Sequence, residues 1–195
     1  MLASSYSDAL PLEAFQHWQQ KDFVGTNQYY FKTENSAPLV KVESKQSASG
    51  LFLKNSVNLN KTPILNWSWK IDHALDTANE RKKSGDDFAA RVYVLASTGP
   101  LPWQTKALSY VWSSYQKIGL QWKNPYTGKV MMISVDSGEE LAGSWQHHQR
   151  NVQQDLELAF GKIFNKIDVI AVMTDTDDSN QQVTAWYKNI FFSEK

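Results

Sequence analysis

GDDFAARVYVLAS, residues 85–97, is the stretch whose reading decides the fold. A glycine and two acids lead into strict alternation. Phe88, Ala90, Val92, Val94 and Ala96 fall on one face of an extended chain, and Asp87, Ala89, Arg91, Tyr93 and Leu95 fall on the other. The first face is wholly apolar and suits a sheet face laid on a core. The second mixes an acid, a base and a phenol, and such groups turn inward only where partners wait for them. The polar row reads either as a satisfied internal network or as part of a site. Asp87 and Arg91 stand four residues apart, ~13 Å along a strand. They cannot pair with each other, so each needs a partner on a neighbouring strand. The 175–178 stretch is the leading candidate for Arg91.

The same period of two recurs outward from this stretch. In PILNWSWKID (63–72), Leu65, Trp67, Trp69 and Ile71 share one face, and Asn66, Ser68, Lys70 and Asp72 share the other. Further strands are expected at 25–32, 39–44, 49–54, 107–114, 130–136, 166–174 and 182–192. LQWKNPYTG (120–128), with Pro125 and Gly128, reads as a turn-rich connection. Residues 73–84 read as a loop or a frayed helix. Helical period is clear only over 149–160, where Val152, Leu156, Ala159 and Phe160 stand at i, i+4, i+7 and i+8 and Gly161 supplies the stop. A helical turn is also expected within 12–18. About nine strands and one helix, without an internal repeat, point to an all-β fold. The expected architecture is an antiparallel β-sandwich of jelly-roll type, one domain over residues 10–195, with one short helix near 149–160.

Composition narrows the function classes. Twenty basic and twenty acidic residues cancel, and the longest basic run is Arg81–Lys83, so no field draws in a nucleic acid. The absence of cysteine excludes disulfides, thiolate zinc and a cysteine nucleophile. No apolar run approaches the ~20 residues of a membrane-spanning helix. MLASSYSDALPLEAF has neither a basic n-region nor a long apolar h-region, so no signal peptide is read there and a mature domain is expected from near residue 10. Eight Trp, eight Tyr and nine Phe are the compositional oddity, enough to fill a core and to leave a flat exposed platform.

Three groups of residues are candidates for chemistry. Asp87 and Arg91 suit hydrogen bonding to a ligand, with Tyr93 and Trp112 as stacking surfaces; the bland alternative is an ion pair at the sandwich rim. Asp175, Asp177 and Asp178 in MTDTDDS suit a hard cation such as calcium, although Asn180 and Trp186 stand where an EF-hand needs glycine and its closing acid. The same residues also make a solvated Asx-rich turn. Trp103, Trp122 and Trp145 lie in loop-rich segments beside Asn124, Tyr126, Gln146 and Asp136, as sugar-stacking rings or as lids on the core. His17, His73, His147 and His148 form no HxH or HxxxH pair. Glu139 and Glu140 form an acidic loop. No GxSxG, phosphate-binding or dinucleotide loop is present.

The ordered set SASGLFL, LNWSWKI, GDDFAARVYV, ALSYVW, Asn124-Pro125, Arg150-Asn151-Val152 with Asp155, Phe160-Gly161 and MTDTDDS before a final aromatic strand resembles a bacterial family of exported or periplasmic-type proteins catalogued as a domain of unknown function. The resemblance covers residues 15–193. Asp178 and Ser179 depart mildly from the family pattern, which carries a threonine after the acids. The resemblance implies a periplasmic or secreted compartment and one-domain architecture, and no established activity. WYKNIFF is similar to the closing strand of galactose-binding-like jelly rolls. Together with the tryptophan load, this leads to the expectation of a carbohydrate- or envelope-glycan-binding module, with a structural calcium near Asp175–Asp178. Two alternatives stand beside it: a glycan- or lipid-acting hydrolase or lyase using carboxylates near Arg91, and a non-catalytic envelope adaptor. The ligand and the oligomeric state are open at this point.

Overall fold

Alternation of apolar and polar residues resolves into two stacked sheets. The computed structural model describes residues 10–34, 37–77, 79–97, 99 and 104–194. Its strands are β1 (Leu10–Pro11), β2 (Gln19–Val24), β3 (Gln28–Glu34), β4 (Ala37–Lys45), β5 (Ala48–Asn58), β6 (Ile64–Ile71), β7 (Arg91–Ser97), β8 (Thr105–Ser113), β9 (Gln121–Lys123), β10 (Val130–Ser137), β11 (Gln146–Asn151), β12 (Lys166–Asp175) and β13 (Gln182–Ser193). A six-stranded sheet has the order β11-β6-β13-β4-β3, with β1 added on β13; a seven-stranded sheet has the order β2-β5-β12-β7-β8-β10-β9. Neighbours run antiparallel apart from β8 and β10, which are parallel. The protein is a β-sandwich of jelly-roll type, mostly antiparallel, with one α-helix.

The core lies between the sheets and is built from the alternation. Trp67, Trp69, Val42 and Tyr187 face inward from the six-stranded sheet, and Val92, Val94, Tyr110, Trp112 and Val172 from the seven-stranded one. Trp67 meets Trp69 edge-on at 5.5 Å, and Trp69 meets Trp112 at 6.2 Å. Burying rings of this size contributes roughly 4–6 kcal/mol each before entropy is counted. This is where much of the tryptophan goes.

The helix α1 (Val152–Phe160) is bounded by two side-chain choices. Asn151 caps it, its Oδ1 accepting from the Gln154 N–H at 3.1 Å. Gly161 ends it at φ 64°, a left-handed conformation that favours glycine. Val152 and Leu156 turn into the core, and the buried Asp155 accepts from Arg150 and from the Tyr110 hydroxyl.

Several expectations need correction. Strands β2, β9 and β11 carry no usable alternation: all six residues of β2 are exposed, and LQWKNPYTG contains β9. Of the two readings of 73–84, the described residues form the loop, which ends in a 3-10 turn, Lys83–Gly85, and the expected N-terminal helical turn is also 3-10, Phe15–His17. Strand β7 begins only at Arg91, so the parity read from residue 85 breaks before it. Phe88 consequently packs with Val111, Trp122 and Met132 in a second apolar cluster, away from the main core that holds Ala90, Val92 and Val94. Trp103 lies outside the described residues. Among the described residues no helix is long and apolar enough to cross a membrane.

Candidate functional site

The outer face of the seven-stranded sheet carries a cleft of about 440 Å³. Two cross-strand rows lie on that face. Phe52, Ala171, Tyr93, Ser109 and Met132 are register partners along one, and Gly50, Met173, Arg91 and Val111 along the next. A Cβ on Gly50 would come within 2.8 Å of the Val172 carbonyl and 3.0 Å of the Phe52 ring, which accounts for glycine there. The floor and one wall are apolar, from Phe23, Val24, Phe52, Leu95, Val130 and Met173. The opposite end is acidic, from Asp86, Asp175, Asp177 and Asp178, with Arg91, Tyr93 and Tyr126 among them.

Arg91 organises the acidic end. It is 2% exposed, and its Nε donates to Asp175 Oδ1 at 2.9 Å while Nη2 pairs with Asp175 Oδ2 and also reaches the Asp86 carbonyl. Its Nη1 donates to the Tyr93 hydroxyl at 3.0 Å and lies 3.7 Å from Asp86 Oδ1. The Phe88 ring stacks under the guanidinium at 4.4 Å, and the Phe88 N–H donates to Asp175 Oδ1 at 3.0 Å. Burial alone would lower the Arg91 pKa, but Asp175, Tyr93 and Asp86 outweigh it and hold the guanidinium charged.

Asp87 has a different task. It is fully buried and accepts from the backbone N–H groups of Asp178 at 3.3 Å and Ser179 at 2.5 Å. It thereby holds the 175–179 loop down and does not line the cleft. Thus Asp87 and Arg91 both find partners in the 175–179 segment.

The remaining carboxyls crowd together. Asp86 Oδ2 accepts from Asn124 at 3.0 Å, and Asp178 Oδ2 accepts from the Tyr126 hydroxyl at 3.3 Å. Burial pushes the Asp86, Asp177 and Asp178 carboxyls above their ordinary range, and the neighbouring Asp87 charge pushes the same way. Burial likewise raises the Tyr93 phenol. One oxygen each from Asp87, Asp175 and Asp177 lie within 4.8 Å of one another. These three are the residues that could share a hard cation; Asp178 is turned to Tyr126 instead. Asp87 and Asp175 would each supply an oxygen that already accepts a protein hydrogen bond, so the fit to a cation is partial.

Trp112 stands apart from this group. It is 1% exposed on the inner face, with its Nε1 donating to the Gly138 carbonyl at 3.0 Å. Strand β8 turns Trp112 to the core and Val111 to the outer face, so a ligand in the cleft does not meet it. Glu139 is also elsewhere, accepting from the Ala74 N–H. Phe23, Phe52, Met173 and Tyr126 were not singled out by sequence as a group. Only the outward parity of Phe52 in SASGLFL signalled one of them.

Fold and cleft define a jelly-roll β-sandwich with a half-apolar, half-acidic groove across the outer face of its larger sheet. The chain belongs to the family described as protein of unknown function DUF3047, whose family model matches residues 16–191. No curated protein matches it at a significant level. Among solved structures, it is similar to endoglucanase Cel12A from Rhodothermus marinus, with 6% identity and a TM-score of 0.46 over 91% of this chain and 97% of that one. It is similar to endoglucanase 3 of family GH12 from Trichoderma harzianum, with 10% identity and a TM-score of 0.45 over 91% and 100%. A structure from a study of carbohydrate-binding modules of the β-sandwich superfamily gives 14% identity and a TM-score of 0.39 over 91% and 57%.

Proposed function

We propose that this protein is a glycan-binding module of the bacterial cell envelope, in a periplasmic or secreted setting, and that the cleft over Arg91 takes the sugar. The observation that carries the reading is the union of an apolar floor and a fixed polar end in one groove. A pyranose ring has a C–H face that lies against Phe52, Leu95 and Met173, and a hydroxyl rim that donates to Asp177 and Asp178. Arg91 and Asp175 spend their hydrogen bonds on each other and on Asp86, Tyr93 and Phe88, so they set the shape of the site while the half-buried Asp177 and Asp178 carboxylates read the ligand. Calcium is the cation that Asp87, Asp175 and Asp177 would hold, bracing the same loop.

The test is a glycan array with affinity-gel follow-up, run with and without calcium. Binding that falls at least tenfold in Asp177→Asn/Asp178→Asn supports the reading. Failure to retain any glycan in either condition overturns it.

A second reading rests on the raised carboxyls. A carboxyl that burial raises above its ordinary range is shifted in the direction general-acid work needs, and paired carboxyls drive glycoside cleavage. Turnover of chromogenic glycosides, lost in Asp86→Asn or Asp178→Asn, would make the protein an enzyme rather than a binding module.

A further inference from the structure

The outer face of the six-stranded sheet carries a second constellation, on the side of the sandwich away from the cleft. Tyr30, Lys41, Trp186 and Lys70 are successive register partners across β3, β4, β13 and β6. Their side chains therefore stand in one row on the solvent side. Trp145, just before β11, extends the row. Lys70 Nζ lies 4.3 Å from the Trp186 ring centre and 5.5 Å from that of Trp145. Lys41 Nζ lies 5.3 Å from Tyr30 and 5.9 Å from Trp186, and Lys188 Nζ lies 4.0 Å from Trp145.

Charge is not uniform along this row. Lys41 pairs with Glu43 at 2.5 Å and Lys188 pairs with Glu34. Lys70, between the two indoles, has no carboxylate partner among the described residues. Half-buried indoles on the solvent face of a sheet add little to the core, and lysine stems shield them only in part.

We propose that this row is a binding surface for an acidic polysaccharide, a uronate-bearing chain lying across the strands. Two sugar rings would stack on Trp186 and Trp145, which are two strand spacings apart, ~10 Å, on the scale of a disaccharide. The carboxylate of the chain would meet Lys70. One cation with no described carboxylate within 4.0 Å, set between two ring platforms, suits a uronate carboxylate whose own and neighbouring rings lie on the indoles. Single-stranded nucleic acid carries one backbone phosphate per nucleotide and draws on many free cations, which Glu34 and Glu43 deny it here by pairing with Lys188 and Lys41.

This site is independent of the cleft, and the experiment separates them. Tryptophan fluorescence and affinity electrophoresis are run with polygalacturonate, with a neutral β-glucan and with oligo-dT. The expected result is retention and quenching by polygalacturonate, weakened at least tenfold by Lys70→Gln and by Trp186→Ala. The cleft variant Asp177→Asn/Asp178→Asn is expected to leave it unchanged. Lys70→Gln is a surface change, so it tests the row even if Trp186→Ala misfolds. Absence of polygalacturonate binding, equal binding by Lys70→Gln, or tighter binding of oligo-dT overturns the proposal.

Discussion

Arg91 and Asp175 meet on the diagonal between β7 and β12. The register partner of Arg91 is Met173, and the carboxylate two residues farther along reaches back to grip the guanidinium from two sides. The first residue of β7 is thereby joined to the last residue of β12, just where the 175–179 loop leaves the sheet. A buried pair of this kind adds little net stability compared with apolar replacements, yet losing one partner is costly.

Arg91→Met is expected to destabilise the fold by ~3–5 kcal/mol, because Asp175 is left as a buried charge without its cation. The melting temperature should fall by on the order of 10 °C. Adding Asp175→Asn keeps an acceptor for the Phe88 N–H and should recover much of the loss. Thermal melts of the two single variants and the double variant check this; a double variant no better than Arg91→Met alone would contradict the pairing.

The pH dependence of the acidic end has a definite sign. Burial first, and the Asp87 charge second, raise Asp177 and Asp178 above their ordinary value of 3.8 in the folded state. Groups shifted this way favour folding below the unfolded value and lose that contribution as pH rises through the folded values. At neutral pH they cost stability. Asp177→Asn/Asp178→Asn should therefore stabilise the fold at pH 7, raising the melting temperature, by no more than ~1 kcal/mol in free energy since both groups are partly solvated. The gain should shrink as the pH is lowered toward 3.8. A variant that is less stable than wild type at pH 7 would show that attraction to Arg91 or to a cation outweighs the repulsion.

Calcium should raise the melting temperature of the wild-type protein and leave Asp177→Asn unmoved, with a chelator reversing the effect. At a hundredfold excess over the dissociation constant the stabilisation is ~2.7 kcal/mol. Equal melting curves with calcium and with chelator would mean that the backbone N–H bonds to Asp87 hold the loop without a metal.

Trp112 and Tyr93 should behave oppositely. Trp112→Phe opens space beside Trp69 and loses the bond to the Gly138 carbonyl, for ~1–3 kcal/mol of stability, with ligand affinity unchanged. Tyr93→Phe removes the hydroxyl that Arg91 donates to, and should weaken ligand binding with a smaller effect on melting. Paired melting and binding titrations separate the two.

At the helix start, Asn151→Ala should cost ~1 kcal/mol through loss of the cap on Gln154, while Asn151→Asp should be nearly neutral. Chemical denaturation measures both.

Residues 63–72 and 182–192 were legible as strands because alternation is imposed by the backbone of each strand alone, and their inward residues needed no knowledge of what they face. The helix was legible for the same local reason, down to the αL glycine that ends it, although residues 149–151, read as its start, belong to β11. Strands β2, β9 and β11 were hidden: β2 is exposed throughout, β9 is only three residues long, and the inward side chains of β11 are polar, so none shows an apolar period. Phe88 was misplaced because the chain leaves strand geometry between residues 86 and 90, and one irregular turn is enough to swap the faces.

By itself, then, the sequence determined the β-sandwich class, the inward faces of the long strands and the rule that Asp87 and Arg91 must look elsewhere for partners. Only the tertiary structure decided which partners those are. Strand β7 lies beside β12 although their paired residues stand 74 to 82 apart in the chain, and no local pattern encodes that neighbour. The same holds for Trp112 and Trp186. Each follows period two in its own strand, but facing the other sheet makes the first a core ring, and facing water makes the second part of a surface.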